Sequence, residues 1–424
     1  MKTLTCILRV AGLVGVILAA LLLQTQGARS QSATPQVFLP IIHKDATSTP
    51  TVTPTATVTR TPTATPTVTH TPTITHTPTV TNTPTATLPP VAWLPQIYKS
   101  GYMVTSYYIQ DESGSALYAL GCELGSNVRL AEGFQDSLVI LNFGQMWIEN
   151  GQFGTGSFTP YWHFIPLWKV EEAVKQYAMG YYNCSGTDRE SFVFIGVGTN
   201  NFGGMMLDNP NQEVRTSRYD LGGQLWGEMI TRLNQWATAN GYARQVAIAG
   251  AIDIEWASNS GWNTPSVTRA WVDGFDSRDD GRYIYFNFGA CVGCPTVPSP
   301  SWIYSNAMPW TQDHIYYVSW QAPPAFAVPE IYRNDGYLAR QWQAVSKFGA
   351  IYKQPYGKID FSGPMTQWQA CKQRQSNECT RTDGYGLDNT PGEGWQQLYD
   401  ALNSDPFTAQ PVLRWVTDIR WQIR

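Results

Sequence analysis

From Thr47 to Thr87 threonine stands at every odd position, with Pro, Ala, Val, Ile, Arg, His, Asn or Ser between. Strict alternation normally marks a strand. Here the recurrent prolines remove ladder donors and hold the backbone near polyproline II, so the segment reads as an extended linker with no core of its own. At about 3.1 Å per residue it reaches on the order of 120 Å. Its hydroxyl density suits O-glycosylation. The tract confines any packed domain to the C-terminal side of the chain, and residues 34–90 are taken as a disordered Thr/Pro-rich linker.

Composition sharpens that division. Before Val91 the only charged residues are Lys2, Arg9, Arg29, Lys44, Asp45 and Arg60, and the only aromatic one is Phe38. The rest of the chain's 28 basic, 32 acidic and 55 aromatic side chains therefore fall in residues 91–424, giving that region a net charge of −8. A segment so rich in large rings can bury a substantial single core. An acidic balance without Lys/Arg clusters argues against nucleic acid and anionic membrane surfaces. A neutral polysaccharide is the partner class it favours, and the domain is expected to be a monomer.

The N-terminus bears on compartment. Lys2 and Arg9 precede an apolar or small run from Val10 to Leu23, followed by a polar stretch. This is the pattern of a secretory signal peptide, assigned to residues 1–33, with an uncleaved anchor near the cell envelope as the alternative. Beyond it lie six cysteines, Cys122, Cys184, Cys291, Cys294, Cys371 and Cys379. An even number in an exported chain predicts disulfides. Six cysteines permit fifteen pairings; local pairing of Cys291 with Cys294 and of Cys371 with Cys379 would leave Cys122 with Cys184. A metal role for Cys-Val-Gly-Cys lacks a second closely spaced ligand pair, so no metal and no cofactor are expected.

After Tyr102, β-rich runs alternate with amphipathic stretches of helix length, the signature of an α/β fold with parallel strands. Eight candidate strands are Val104 to Gln110, Leu138 to Phe143, Phe192 to Val197, Val246 to Ile254, Tyr283 to Phe288, His314 to Ser319, Ala327 to Tyr332 and Lys358 to Phe361. Eight make a (β/α)8 TIM-like barrel over residues 91–424, irregular in its late helices, with an open doubly wound sheet as the alternative. Among the helices, Tyr219 to Asn240 shows Leu221, Leu225, Met229 and Leu233 at spacing four. A final run, Val412 to Trp421, would close or cap the fold.

In parallel α/β folds the site sits at the carboxyl ends of the strands. The run Val246 to Ile252 is apolar and ends in Asp253-Ile254-Glu255-Trp256. Side chains at i and i+2 of a strand share a face, so Asp253 and Glu255 can point together into a barrel mouth. Adjacent carboxylates push their pKa values apart, which is the pairing that glycoside hydrolysis needs. Other polar strand ends are Asn142, Asn287, Glu330 and Asp360, with Asp111 the best third acid. Trp256 and Trp320 are the favoured pair of rings for stacking on a sugar.

The segments Ile252-Asp253-Ile254-Glu255, Arg340-Gln341-Trp342-Gln343-Ala344-Val345-Ser346 and Gly357-Lys358-Ile359-Asp360-Phe361 succeed one another in an order that resembles the family 25 glycoside hydrolases, the lysozyme-like muramidases. The resemblance spans about Val104 to Phe361. It implies a (β/α) barrel acting on peptidoglycan, with Glu255 as acid/base, Asp253 supporting the reaction centre, and Asp111 and Asp360 lining the sugar site. At the first strand the family's Asp-x-Ser falls near Gln110-Asp111-Glu112-Ser113, where the register is open. The competing expectation is a non-catalytic, surface-displayed carbohydrate-binding barrel.

Overall fold

The computed structural model describes residues 104–422 apart from 131–134, 159–161, 203–210, 257–260, 280–281, 292, 307, 376–378 and 380–385. The leader and the threonine tract lie outside the described residues.

The sheet forms where the sequence carries continuous apolar runs. Its strands are β1 (Val104–Tyr108), β2 (Ser137–Asn142), β6 (Val193–Thr199), β7 (Val246–Ile252), β8 (Tyr285–Asn287), β9 (Ala325–Ala327), β10 (Met365–Thr366) and β11 (Thr417–Trp421). Their order is β10-β11-β1-β2-β6-β7-β8-β9, with every pairing parallel. Every residue of β2, β6 and β7 is buried, as expected for parallel strands covered on both faces. At the two sheet edges Glu330, just past β9, bridges Met365 of β10. The Ile331 N–H donates to the Met365 carbonyl and the Met365 N–H to the Pro329 carbonyl, both at 2.9 Å.

Helices α1 (Gly114–Leu130), α2 (Leu167–Cys184), α3 (Gln212–Ala239), α4 (Pro265–Asp279), α5 (Gln312–Tyr316), α6 (Tyr337–Tyr352), α7 (Trp368–Arg374) and α8 (Pro391–Asn403) connect the strands. Between β2 and α2 an antiparallel insert, β3 (Gln145–Glu149), β4 (Gln152–Gly156) and β5 (Phe164–Pro166), forms a separate small sheet. Disulfides join Cys122 to Cys184, Cys291 to Cys294 and Cys371 to Cys379. The first ties α1 to α2, which pack closely because Gly121 and Gly180 bring backbone against backbone. A Cβ on Gly121 would collide with the Tyr177 carbonyl, and one on Gly180 with the Tyr118 carbonyl.

Three of the expected elements differ. His314 to Ser319 is helical, not a strand: it spans α5 and a π-helical turn, Tyr317–Gln321. Thr311 starts the helix, its hydroxyl accepting from the His314 N–H in a reciprocal cap that outweighs the β-rich composition after it. Lys358 to Phe361 belongs to no strand, and β10 comes after it at Met365. The eighth strand is β11, which sits beside β1 in register from Val104 with Thr417 to Tyr108 with Trp421. In α3 the buried stripe runs through Tyr219, Trp226, Met229, Ile230 and Leu233, while Leu221 is exposed. Gly222, Gly223 and Gly227 belong to that buried face, so the stripe that meets α4 is marked by glycines and escapes a count of leucines.

Replacing Gly121 with Val forces apart two backbones fixed by a neighbouring disulfide. The expected loss is about 3 kcal/mol of unfolding free energy, the upper end for overpacking. Denaturant melts of the two proteins measure it.

Candidate functional site

The parity of each strand decides what faces the space inside the sheet. Side chains alternate, and Gly196 and Gly198 of β6 face Ile140 of β2, Ala251 of β7 and the rings Phe286 and Phe288. Asp253 and Glu255 come after Ala251 at the same parity, and Glu330 is related to Phe326 in the same way on the β9 side. The three carboxyls converge at the carboxyl end of the sheet, with one oxygen from each within 4.8 Å of the others. Asp253 and Glu330 are buried and Glu255 is half-buried.

Each group has its own support. The Asn201 side-chain amide donates to Glu255 Oε2, and the Ala290 N–H donates to Glu255 Oε1 at 3.1 Å. The Tyr332 hydroxyl donates to Glu330 Oε1 at 2.8 Å. The Asn201 backbone N–H holds the Asp253 carboxyl, whose Oδ1 has no hydrogen-bond partner among the described residues. Glu330 and Glu255 share a hydrogen bond that lowers the pKa of Glu255 and raises that of Glu330, so Glu330 is the protonated donor.

Burial and mutual repulsion set the electrostatics. Burial, then the charge of Glu255, drives the Asp253 carboxyl well above the usual carboxylate range. Burial, then the charges of Asp253 and Glu255, does the same to Glu330. Burial raises Glu255 against the pull of the Ala290 and Asn201 donors. Three acids this close cannot all ionise. The cluster therefore retains protons above the usual carboxylate range, with Glu255 its least buried member. Its oxygens are hard donors of the kind that also hold Mg2+ or Ca2+.

Local sequence explains the precision of the Ala290 contact. A Cβ on Gly289 would collide with the Ile254 carbonyl, so only glycine lets the strand extension after β8 run against the one after β7. Asn287 straps the two together, its Oδ1 accepting from the Ile254 and Gly289 N–H groups at 3.3 and 3.2 Å and its Nδ2 donating to Ser319 Oγ at 2.8 Å. The Cys291–Cys294 disulfide comes directly after, and Gln341 of α6 donates to the Cys294 carbonyl at 2.7 Å.

The expected site residues separate into those gathered here and those placed elsewhere. Asp253 and Glu255 are together. Asn142 ends β2 on the inward parity, its Oδ1 accepting from the Gly144 N–H at 3.0 Å and its buried Nδ2 without a partner among the described residues. Asn287 is buried and acts as the strap described above. Asp111 is not the third acid: its Oδ1 accepts from the Ser113 N–H at 3.0 Å, and Gln422 holds its backbone at both N–H and carbonyl. Its neighbour Glu112 is taken by Lys169 at 2.5 Å and His163 at 3.0 Å.

Asp360 is exposed and shares the field of Arg414 with Asp136, the residue just before β2, which places it at the amino end of the sheet. Trp256 is 1% exposed and packs on Trp310 with ring centroids 5.2 Å apart, so it is core and offers no open face. Trp320 precedes β9, donates to the Tyr356 carbonyl at 3.2 Å and meets Phe326 edge-on, which also puts it at the amino end. The segment before it, expected as a strand, is a helix.

The third carboxyl, Glu330, carried the same signal as Asp253: an apolar run, Ala325 to Val328, ending in an acid. Around the mouth stand Tyr108, stacked on Trp421 at 4.5 Å, and Phe158 from the insert, edge-on to Tyr108 and Trp421 at 5.3 and 5.1 Å. Tyr108 lies within hydrogen-bond reach of Tyr332 and in the field of Glu330 and Asp253. These rings come from elements far apart in the chain, and no local pattern singles them out.

Compared with known proteins, the chain matches no family model and no curated protein.

Glu330 keeps in the folded state a proton that the unfolded chain releases, so the stability it carries falls as pH rises above the unfolded carboxylate range. Glu330→Gln removes that titration and retains an oxygen for Tyr332. The unfolding free energy of the variant should gain on the native protein as pH rises from about 5, by up to about 1.4 kcal/mol per pH unit. Denaturant melts across that range check it, and a gap independent of pH contradicts the shared-proton cluster.

Proposed function

We propose that the protein is an exported glycoside hydrolase acting on an amino-sugar polysaccharide of the cell-wall type, with its parallel sheet working as a (β/α)8 barrel. The observation that carries this reading is the meeting of Asp253, Glu255 and Glu330 at the carboxyl end of the sheet, where burial raises the pKa of each above the usual carboxylate range. The joining of the sheet edges at Glu330 and Met365 supports the barrel. Three disulfides, and the absence among the described residues of any helix long and apolar enough to cross a membrane, are compatible with export. The resemblance to family 25 glycoside hydrolases rests on Asp253 and Glu255, since Asp111 and Asp360 stand apart from them.

In this reading Glu255 is the acid/base, because it is the least buried residue of the three. It takes a proton from Glu330 along their shared hydrogen bond and passes it to the glycosidic oxygen as the bond to the anomeric carbon breaks. Asp253, whose Oδ1 has no protein donor among the described residues, orients the sugar at the reaction centre by hydrogen bonding. A water then adds to the anomeric carbon, and its proton returns through Glu255 to Glu330. Glu330 sets the proton affinity of Glu255 through their shared hydrogen bond, and Tyr332 fixes Glu330.

Glu255→Gln keeps one side-chain oxygen to accept from the Ala290 N–H and removes the carboxyl that carries the proton. Turnover, measured as reducing ends released from purified peptidoglycan sacculi, should fall by about three orders of magnitude with the melting temperature retained. Equal release by the variant and the native protein would sink the assignment.

A further inference from the structure

The insert β3–β5 has two unlike faces. One carries Met146, Thr155 and Ile165, all buried, and Phe153, which lies 3.4 Å from the Cβ position of Gly222 in α3. It packs on the body of the protein. Cross-strand register puts Trp147, Gly154 and Pro166 in one row of the opposite face and Gln145, Gly156 and Phe164 in the next. The exposed face of a small antiparallel sheet is ordinarily polar. This one presents rings.

Trp162, from the segment joining β4 to β5, lies over that face. Its ring meets Trp147 edge-on with centroids 5.1 Å apart, and it is 40% exposed. The space it occupies exists because Gly156 has no side chain: a Cβ there would stand 2.6 Å from Trp162 Nε1. The residue after Trp162 is anchored twice over. His163 exchanges backbone and side-chain hydrogen bonds with Ser157, N–H to Oγ at 2.8 Å and Ser157 N–H to carbonyl at 2.9 Å, and its Nε2 meets Glu112 at 3.0 Å. The indole is therefore held on a fixed support. The same segment carries Phe158, which packs on Tyr108 and Trp421 at the rim of the carboxyl cluster. The segment that carries Trp162 therefore also supplies a ring beside the carboxyl cluster.

We infer that the outer face of the β3–β5 insert, centred on Trp147 and Trp162, is a binding surface for successive sugar residues of the polysaccharide whose cleavage site lies at Glu255. The segment shared by Phe158 and Trp162 selects this occupant. Sugars offer flat C–H faces to rings and hydroxyls to polar groups, and the face holds the rings Trp147, Trp162 and Phe164, with Glu149 and Gln152 as its outermost pair. The inference rests on the glycan-acting reading above, and binding is measured separately from turnover so that the two can fail independently.

The test uses the full chain carrying Glu255→Gln and its retention on purified peptidoglycan sacculi as the probe. Adding Trp147→Ala and Trp162→Ala together should weaken retention by about tenfold or more, the scale of losing two stacked rings. Adding Phe407→Ala, an exposed ring on the loop between α8 and β11, should leave retention as it was. Circular dichroism and the melting temperature verify that each variant is folded; should Ala substitution unfold the insert, Trp162→Gln alone, on its exposed edge, must still weaken retention. Retention unchanged in a folded Trp162 variant, or lost equally with Phe407→Ala, overturns the inference. Loss of retention in the tryptophan variants of a protein that proves to have no hydrolase activity would uphold it as a binding surface while removing the catalytic reading.

Discussion

Three carboxyl groups packed against one another at the end of a parallel sheet are the constraint on which the site depends. An ionised carboxylate buried alone costs several kcal/mol, and three within 4.8 Å add repulsion to desolvation. The fold manages this by keeping protons on the more buried members and concentrating N–H donors on Glu255, the least buried one. Everything near the cluster serves that distribution. Gly289 lets one strand extension approach another, Asn287 straps them, and the Cys291–Cys294 link fixes the loop that supplies the Ala290 N–H.

The same residues join chemistry to architecture. Glu330 is at once the backbone bridge between the sheet edges and the protonated partner of Glu255. A change that separates β9 from β10 would therefore be felt as a change in proton affinity at the mouth. Tyr332, two residues on, couples that bridge to Tyr108 and so to the aromatic rim.

How much the sequence revealed depends on how local each signal is. The buried strands β2, β6 and β7 were legible because strands covered on both faces must be apolar throughout, and Asp253 and Glu255 were legible because acids ending such a run have few other uses. The pairing of Cys122 with Cys184 was the remainder once the two short-range pairs were assumed. His314 to Ser319 misled because its β-branched and aromatic residues matched a strand while the cap at Thr311 decided for a helix. Asp360 and Trp320 misled in turn, since assigning strands one element too early moves a residue from the carboxyl end of the sheet to the amino end. The run Val412 to Trp421, expected to close or cap the fold, contains β11, but its register beside β1 and the meeting of the rings Tyr108, Phe158 and Trp421 come from contacts between elements far apart in the chain, and no spacing records them.

The central claim is that Asp253, Glu255 and Glu330 share protons at neutral pH. Infrared difference spectroscopy of the native protein against Glu330→Gln, in the carboxylic-acid carbonyl region at pH 7, measures it directly. The account predicts a protonated-carboxyl band in the native protein that is lost or shifted in the variant. Spectra in which all three groups are ionised at pH 7, with no such band to lose, would contradict it.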